Sequence, residues 1–519
     1  MSSEQDSVHA AYRTLRMHGI ADVLREHRRS RPQMIAAVDG DVRLTWRELD
    51  ERVNRLANAL RTLGVEQGER VLWLGQNSFR LFEGLLAAAK LGAVFCPANW
   101  RQSGPELAAV VDDFSPRVVI WQEAEVGEVV RAARAESAHH CTWIQHDAGP
   151  HDGYEALLAA APDTDDDRRI EAESPLLAVY TAAFDGRPNA AMLPHSTLLY
   201  QSLMIAYAES ITEKSVFLNS GPLFHLGTML STLAIFTFGG RNVFVARVDA
   251  EEMLCNIANE RVTHAFVAQP TIEQIRQINI DGKYDTSSLW SHHTAPEWAN
   301  PLVMPRTAPF NTRPTVYGQT EVMGFAVMGW LGGEGAGRPS PLVQVRIADD
   351  DGNELPPGAV GEICVRGLQV MSGYFNRPEE NAYRSRDGWH RTRDLGKRLE
   401  DGSIAFVGPK TTMIKSGVEN IYPAEVEACL RGITAVQDVC VIGVPDPVWS
   451  QNVKALIVLR QGQVATEADI IEHCRSRIAS YKKPKVVTFV ESLPRDRSGM
   501  VDRAAVDAAY GGGGYPFSG

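Results

Sequence analysis

The fold of this chain is decided by one segment, which reads Tyr180-Thr181-Ala182-Ala183-Phe184-Asp185-Gly186-Arg187-Pro188-Asn189-Ala190-Ala191-Met192-Leu193-Pro194-His195. Residues 176–180 are apolar and rich in strand formers, and Ser196 and Thr197 are suitable caps for a following helix. Gly186 and Pro188 predict a turn between these two elements. The segment therefore predicts a strand, a loop and a helix, and such a loop can present backbone N–H groups to an anion.

The same segment resembles the phosphate loop of the adenylate-forming superfamily, which includes the acyl-CoA synthetases. That family has the pattern Tyr-Thr-Ser-Gly-Thr-Thr-Gly-x-Pro-Lys-Gly, followed several residues later by His. The positions that agree are Tyr180, Thr181, Gly186, Pro188 and His195. The positions that differ are Ala182, Ala183, Phe184, Asp185, Asn189 and Ala190, and the Lys of the pattern falls at Asn189. Asp185 disfavours phosphate binding unless a cation intervenes, and an ordinary connection between two elements stays an alternative interpretation.

Length and composition limit the class of protein. The 519 residues are enough for two or three substructures with their own cores. The net charge of -12 disfavours a general nucleic-acid binder. The seven Cys residues form no Cys-x-x-Cys pair, which argues against a zinc site and favours a reducing compartment. No apolar run approaches the roughly 20 residues of a membrane span, so we expect a cytoplasmic protein without integral membrane association.

A second motif, Tyr317-Gly318-Gln319-Thr320-Glu321, agrees with the Tyr-Gly-x-Thr-Glu segment of the resembled family. The resemblance implies that Tyr317, Gly318 and Gln319 lie against the nucleotide, with the aromatic ring on adenine. It also implies that Thr320 contacts the α-phosphate and that Glu321, together with Thr181, binds Mg²⁺. An aromatic face suits a purine and a carboxylate suits Mg²⁺. A turn followed by a helix-initiating Glu is the alternative interpretation.

A third motif, Arg391-Thr392-Arg393-Asp394-Leu395-Gly396, surrounds Asp394. In the family's Thr-Gly-Asp-Leu-Gly segment the Asp accepts both ribose hydroxyls, and one carboxylate can accept from two donors. Arg393 stands where the family has Gly, and an ion pair of Asp394 with Arg391 or Arg393 is the alternative. Ala295 falls in the segment that would stand in for the family's adenine-contacting Gly-Ala-Pro. With Thr181 and Gly186 it completes the predicted nucleotide site.

Two further segments indicate where the acid and the thiol bind. Phe224-His225-Leu226-Gly227 resembles the segment that bounds the acyl pocket in the family. The predicted pocket residues are His225, Gly227, Val322 and Met323, and a buried core His is the alternative for His225. The residues that match the loop lining the pantetheine tunnel of CoA ligases are Gly417, Glu419 and Asn420. The apolar character of the pocket segments favours a fatty or aromatic acid.

Three positions that carry charge in the family do not carry it here. The ribose-binding Arg falls at Pro409, the hinge Asp at Thr412, and the Lys that bridges the acid carboxylate and the α-phosphate at Met500. Met cannot supply that charge. Lys415, close to the hinge, is the candidate substitute for the catalytic cation, and a solvated Lys is the alternative.

The order of the elements predicts the fold class. In the first half of the chain, strands alternate with helices, which predicts an α/β protein with parallel-sheet layers. Short strands and turns from Gly337 to about Asp394 predict a β-rich subdomain. The resemblance implies an N-terminal AMP-binding domain over residues 1–411 and a small mobile α/β C-terminal domain over 412–510, and we expect a Gly-rich tail over 511–519.

The resemblance implies an AMP-forming ligase. A carboxylate would attack Mg·ATP to give an acyl-adenylate and pyrophosphate, CoA would then take the acyl group, and the small domain would rotate between the two steps. Two alternatives stay open: an ATP-dependent diazotase of the same fold that activates nitrite for diazotisation of an arylamine, and a catalytically impaired homologue that binds a ligand without turnover. The expected small molecules are the acid, ATP, Mg²⁺ and CoA.

Overall fold

The structure is a computed structural model, which describes residues 14, 16–181, 188–265, 267, 269–289, 316–328, 336–417, 419–495 and 500–513. Gly186 and Ala295, two residues of the predicted nucleotide site, lie outside the described residues. Among the helices within these ranges, none combines the length and apolar character needed to cross a bilayer.

The helices and strands follow each other along most of the described chain. The helices are α1 Ile20–Ser30, α2 Trp46–Thr62, α3 Phe79–Leu91, α4 Gly104–Phe114, α5 Gly127–Glu136, α6 Gly153–Ala160, α7 His195–Glu209, α8 Leu226–Thr237, α9 Ala250–Glu260, α10 Gln269–Ile278, α11 Pro378–Arg384, α12 Pro423–Arg431, α13 Glu467–Arg477 and α14 Arg503–Tyr510. The strands are β1 Ile35–Asp39, β2 Val42–Thr45, β3 Arg70–Leu74, β4 Val94–Pro97, β5 Val118–Trp121, β6 Thr142–Gln145, β7 Pro175–Tyr180, β8 Ala190–Pro194, β9 Val216–Asn219, β10 Arg241–Phe244, β11 His264–Ala265, β12 Val316–Tyr317, β13 Val327–Met328, β14 Ala336–Pro339, β15 Val343–Ala348, β16 Val360–Gly367, β17 Ser385–Arg386, β18 Trp389–Arg398, β19 Ile404–Pro409, β20 Ile414–Ser416, β21 Glu419–Ile421, β22 Val436–Asp446, β23 Ser450–Leu459 and β24 Val486–Phe489.

The first sheet contains the segment that decides the fold. Its strand order is β6-β5-β3-β4-β7-β8, and neighbouring strands are parallel except β7 and β8, which form an antiparallel hairpin. The predicted order of strand, loop and helix is therefore wrong in one respect, because β8 precedes the helix. The predicted cap is also wrong: α7 begins at His195 with Pro194 as its N-cap residue. Thr197 instead donates its hydroxyl to the carbonyl of Leu368 at 2.9 Å.

A second sheet has the order β11-β9-β10-β1-β2 and is parallel except for β1 and β2. Side chains of both sheets and of α1, α2, α3, α7 and α8 form one large hydrophobic core. α2 begins as the sequence predicts, because Thr45 and Glu48 form a capping box at its first turn. The predicted α/β class with parallel-sheet layers is confirmed.

The third sheet is antiparallel and forms the predicted β-rich region. Its order is β12-β13-β14-β19-β18-β16-β15, with β17 beside β18. Asp394 lies within β18, and β19 continues the sheet to Pro409. The β-rich region therefore extends beyond Asp394, where the sequence analysis placed its end.

The last part of the chain, here called the C-terminal unit, comprises β20 to β24 and α12 to α14. Its strand order is β21-β20-β23-β22, and β24 lies parallel to β23. Ile414, Val426, Val441, Ile457 and Ile470 lie in its own hydrophobic core. This unit confirms the predicted small α/β module, and its placement against the preceding chain determines the geometry of the candidate site.

Candidate active site

The base of the predicted phosphate loop is closed by Thr181 and Asn189. The carbonyl of Asn189 accepts hydrogen bonds from the N–H of Thr181 at 2.9 Å and from its hydroxyl at 3.2 Å. Thr181 follows the carboxyl end of β7, and ligands of open α/β sheets bind outside the carboxyl ends of the strands. Thr181 therefore lies at the edge of the sheet where ligands of such folds bind, while residues 182–187 lie outside the described part of the chain.

Asn189, where the family has Lys, is buried beside a cation from another segment. Nε of Arg377 donates to Oδ1 of Asn189 at 2.8 Å. A terminal nitrogen of Arg377 donates to Asp113 at 2.8 Å, and the hydroxyl of Tyr180 donates to the other oxygen of Asp113 at 2.7 Å. Sequence reasoning missed Arg377 and Asp113, because neither belongs to a motif that it considered. Arg377 places positive charge beside residue 189 even though Asn189 carries none.

Residues 371–375 join the loop hairpin to the Tyr-Gly-x-Thr-Glu motif. Their backbone hydrogen-bonds to β8 at Ala190 and Met192. From the same residues, a backbone N–H donates to the carbonyl of Glu321 at 2.9 Å, and the hydroxyl of Tyr374 donates to Oε1 of Glu321 at 2.5 Å. The phosphate-loop hairpin and Glu321 are therefore parts of one site, connected through Tyr374, which sequence reasoning did not identify.

Glu321 lies on a short 3₁₀ turn, Thr320–Val322, and is 5% exposed. Burial and the negative charge of Glu321 raise the pKa of the Tyr374 hydroxyl, so this group remains a hydrogen-bond donor at neutral pH. Oε2 of Glu321 has no hydrogen bond to any described residue, which leaves one carboxylate oxygen for a ligand. Gly318 permits the tight turn before it, because a Cβ at that position would lie 2.3 Å from the backbone of Gly324.

Asp394 accepts two hydrogen bonds from the same motif. The hydroxyl of Tyr317 and Nε2 of Gln319 each donate to Oδ2 of Asp394 at 2.9 Å. Burial raises the pKa of Asp394 to about 6, the two hydrogen bonds oppose this increase, and the charge of Glu321 adds to it. The ring of Tyr317 stacks on Phe406 with a centroid distance of 5.4 Å. Tyr317 and Gln319 therefore bind Asp394 directly, and Glu321 lies close enough for its charge to raise the pKa of Asp394.

The alternative of a surface ion pair for Asp394 does not hold. Arg391 pairs with Glu362 at 2.9 Å, and Arg393 pairs with Glu380 at 2.8 Å, whereas Asp394 is partly buried and accepts from two neutral donors. Arg393 has a φ of +59°, in the left-handed region that favours glycine. The Gly of the family pattern is explained by this backbone conformation, which Arg393 adopts with some strain.

A neutral residue lies opposite Asp394 in the sheet. Pro409 on β19 is its direct partner in the register of β18 and β19. The family's ribose-binding Arg falls at Pro409, so a cation at that position would be adjacent to the carboxylate. With Pro409 there, the register partner of Asp394 offers no side-chain hydrogen-bond donor.

A Mg²⁺ ion would have to be shared with phosphate oxygens. Among the described residues, no group of three or more His, Cys, Asp and Glu side chains could hold a metal on its own. Mg²⁺ characteristically takes one or two carboxylates and completes its shell with phosphates and water. Glu321, whose Oε2 has no hydrogen bond to any described residue, and the Thr181 hydroxyl are the groups that could share such an ion.

The C-terminal unit reaches the candidate acyl pocket through Glu419. Oε1 of Glu419 lies 3.2 Å from Nε2 of His225 and 3.4 Å from a terminal nitrogen of Arg101. Burial raises the pKa of Glu419, but the contact with His225 and the nearby charges of Arg101 and Lys415 lower it more, so the net pKa is depressed. His225 is the N-cap residue of α8 and is partly exposed. The alternative of a buried core His is therefore wrong.

The other residues of the predicted CoA tunnel lie on the same β20–β21 hairpin. Gly417 has a φ of +60° and donates its N–H to the carbonyl of Trp449 at 2.7 Å. The amine of Lys415 donates to Oδ1 of Asn420 at 2.8 Å. Burial lowers the pKa of Lys415, and the charge of Glu419 opposes this decrease. Lys415 therefore lies on the same hairpin as Glu419, as the register partner of Asn420, whereas Glu419 is the register partner of Ser416.

The residues predicted for the acyl pocket separate into two groups. Gly227, in the first turn of α8, has open space where a Cβ would project. Val322 and Met323 are both fully buried, Val322 in the core of the antiparallel sheet and Met323 in the main core. The tight turn after Glu321 directs them inward, so neither offers an accessible surface to a ligand in this structure, and His225 and Gly227 are the accessible pair.

Comparison with known proteins identifies the family of this chain. The AMP-binding enzyme family matches residues 24–375, and the AMP-binding enzyme C-terminal domain matches residues 425–500. The indoleacetate–CoA ligase of Aromatoleum aromaticum is 33% identical over 88% of this chain and 91% of its own length. The feruloyl-CoA synthase of an Amycolatopsis species is 34% identical over 93% and 97%.

A solved structure shows the same overall arrangement. A Mycobacterium tuberculosis fatty acyl CoA synthetase superposes with a TM-score of 0.68 at 27% identity, covering 95% of this chain and 98% of that one. Its similarity extends through both the parallel-sheet region and the C-terminal unit. Given the two family matches and relatives above 30% identity along nearly the whole chain, this protein belongs to the AMP-binding enzymes and is an AMP-forming acid–CoA ligase.

Proposed function

We propose that the acid activated by this ligase is apolar, either aromatic or fatty. Two observations support this class. Phe224 and His225 come just before Gly227 in the chain and their ring centroids are 4.6 Å apart, so aromatic side chains belong to the segment that we propose to border the acid. The similar proteins named above are called ligases of indoleacetate, ferulate and fatty acids.

The seven Cys residues are all free thiols, which supports a cytoplasmic location.

In the first step we propose that an oxygen of the acid attacks the α-phosphorus of ATP and that the bond to pyrophosphate breaks. Asp394 would accept the ribose hydroxyls, Tyr317 and Gly318 would border the adenine, and Thr320 would contact the α-phosphate. Glu321 and Thr181 would hold Mg²⁺, which neutralises phosphate charge when it is bound. The observation that carries this assignment is the direct contact of Tyr374 with Glu321, which ties the loop hairpin to the carboxylate.

In the second step we propose that the thiol sulfur of CoA attacks the acyl carbonyl and that AMP leaves. The β20–β21 hairpin would line the path of the thiol with Gly417, Glu419 and Asn420. The contact of Glu419 with His225 supports this role, because His225 is one of the residues that we propose to border the acid. The placement of the C-terminal unit in this structure therefore suits thiol transfer.

The proposed function is tested by measuring the two steps separately. ATP–pyrophosphate exchange is followed with indoleacetate, ferulate, a medium-chain fatty acid, acetate, and nitrite plus an arylamine. CoA-dependent AMP release is then measured with each acid that supports exchange. We expect exchange and CoA transfer with the aromatic or fatty acids. Exchange with acetate alone would contradict the apolar pocket, and nitrite-dependent turnover would favour the diazotase.

We predict that Asp394→Ala weakens ATP binding by about 1.5–3 kcal/mol, the range for a hydrogen bond to a charged group. That corresponds to roughly 10- to 150-fold in the Kd for ATP. The measurement is a calorimetric titration with ATP. Asp350→Ala serves as the control, because Asp350 is an exposed carboxylate in the turn after β15 and pairs with Lys410. Equal affinities in the two variants would remove Asp394 from the ribose site.

We predict that ATP affinity falls as the pH is lowered through about 6, where Asp394 becomes protonated. A neutral carboxylic acid accepts the two ribose donors less well than a carboxylate. Since the pKa of Asp394 is raised on folding from 3.8, its contribution to stability is complete below about pH 4 and is lost as the pH rises through about 6. In Asp394→Asn, ATP affinity should no longer change as the pH passes through about 6. If its pH dependence is the same as in the parent, Asp394 is not the group that titrates.

A further inference from the structure

A buried Lys links the C-terminal unit to the parallel-sheet region. Lys482 follows α13, and its side chain is 7% exposed. Its Nζ lies 2.8 Å from Oε1 of Glu106 on α4 and 2.6 Å from Oε1 of Glu425 on α12. One of its two partners therefore belongs to the C-terminal unit and the other to the preceding region.

Glu106 is held in position for this contact. Its other carboxylate oxygen, Oε2, accepts from the N–H of Ser103 at 2.9 Å, and the hydroxyl of Ser103 accepts from the N–H of Glu106 at 3.4 Å, in the capping box that begins α4. The hydroxyl of Ser103 also donates to the carbonyl of Arg477 at the end of α13, at 2.7 Å. The same end of α4 thus makes a neutral and a charged contact with the C-terminal unit.

The electrostatics of the cluster favour an intact arrangement. Burial lowers the pKa of Lys482, but the carboxylates of Glu425 and Glu106 raise it by more, so the amine stays charged. Burial also raises the pKa of Glu425, against the effect of Lys482. A buried charge that loses one of its partners is strongly destabilised, whereas an exposed pair contributes little.

The two ion pairs of Lys482 respond differently to a movement of the C-terminal unit. The pair of Lys482 with Glu425 lies within the C-terminal unit and survives any rigid movement of that unit. The pair with Glu106 joins the two regions and therefore depends on how they are placed against each other. In the placement seen here, Glu419 also contacts His225, while Met500 is 68% exposed.

We propose that Lys482 is a positioning residue for thiol transfer, because its pair with Glu106 holds the C-terminal unit where Glu419 meets His225. This inference rests on the proposed function, in which the β20–β21 hairpin lines the path of the thiol. Lys482 acts through the placement of the unit and does not touch the reacting atoms. Weakening the pair should therefore slow the CoA-dependent step and leave acyl-adenylate formation intact.

The experiment uses the full chain and compares Glu106→Gln with Glu425→Gln. Both changes remove one carboxylate beside Lys482, but only Glu106→Gln removes the contact between the two regions. Each variant is assayed for ATP–pyrophosphate exchange and, in single turnover, for transfer of a preformed acyl-adenylate to CoA. We expect Glu106→Gln to slow transfer by at least about tenfold, the scale of breaking a buried ion pair. Exchange should remain near that of the parent, and Glu425→Gln should transfer faster than Glu106→Gln.

Two further variants test the pair itself. Lys482→Met should slow transfer as Glu106→Gln does, and the double variant should be no slower than the worse single one, because both remove the same contact. Lys482→Arg should retain most of the transfer rate. An equal loss of exchange and transfer in Glu106→Gln, or no loss of transfer, would overturn the proposal. Absence of exchange in the parent with every acid would instead contradict the proposed function.

Discussion

Glu321→Gln is expected to abolish turnover while leaving the fold intact. The amide keeps the size of the side chain, and its oxygen can still accept the hydroxyl of Tyr374, which lies 2.5 Å from Oε1 of Glu321 in the parent. What is lost is the negative charge offered to a hard cation. Because metal-ion charge stabilisation contributes several kcal/mol, we expect the pyrophosphate exchange rate to fall by at least about 10²-fold.

The measurement is exchange over a range of Mg²⁺ concentrations, with thermal unfolding as the check on the fold. Tyr374→Phe is the matched control, since it removes the hydroxyl that contacts Glu321 but keeps the carboxylate, and its loss should be much smaller. Near-normal exchange with ordinary Mg²⁺ dependence in Glu321→Gln would show that the metal is held elsewhere.

The same substitution should also change the titration of Asp394. The charge of Glu321 is one of the causes that raise the pKa of Asp394. Removing the charge of Glu321 should lower the pKa of Asp394, so the loss of ATP affinity on acidification should occur at a lower pH. A midpoint that does not move would mean that the two carboxyl groups do not interact in the way the structure indicates.

Local patterns in the sequence predicted local structure well. The capping box of Thr45 and Glu48, followed by apolar residues at helical spacing, gave the correct start of α2. The same logic missed β8, because Ala190–Pro194 is short, contains two Ala residues, and shows no alternation of apolar and polar side chains. Its strand conformation comes from pairing with β7 and with residues 371–375.

The candidate site was predictable in its motifs but not in its contacts. The resemblance identified Glu321 and Asp394, yet Tyr374 and Arg377 were missed, because each acts on a residue that is distant in the sequence. Nothing in the local pattern shows that Tyr374 donates to Glu321, since such a pairing is created by the packing of separate elements. The same reason explains why Asp394, which lies between two Arg residues at sequence positions 391 and 393, is in fact bound by neutral donors.

The second large effect concerns Met500, which stands at the position of the family's bridging Lys. Its side chain is 68% exposed in this placement of the C-terminal unit, so Lys can replace it without disturbing a core. We expect Met500→Lys to raise the rate of pyrophosphate formation by roughly 10²-fold, the scale of one preorganised charge donor in the transition state. CoA transfer from a preformed acyl-adenylate should not change, because the new Lys acts in the first step. The measurement is the pre-steady-state release of pyrophosphate, with Met500→Gln as the control for size without charge.

Lys415 determines whether that gain is seen. If its amine already supplies the missing charge, Met500→Lys gives little, and Lys415→Ala alone slows pyrophosphate formation while thermal stability stays unchanged. Adding Met500→Lys to Lys415→Ala would then restore the rate, because one cation replaces the other. In the structure, however, the amine of Lys415 is bound to Asn420 on the hairpin that faces His225, which is the arrangement we assign to the second step. We therefore expect Lys415→Ala to leave pyrophosphate release close to that of the parent and Met500→Lys to produce the gain by itself; a large loss of pyrophosphate release in Lys415→Ala would reverse this assignment.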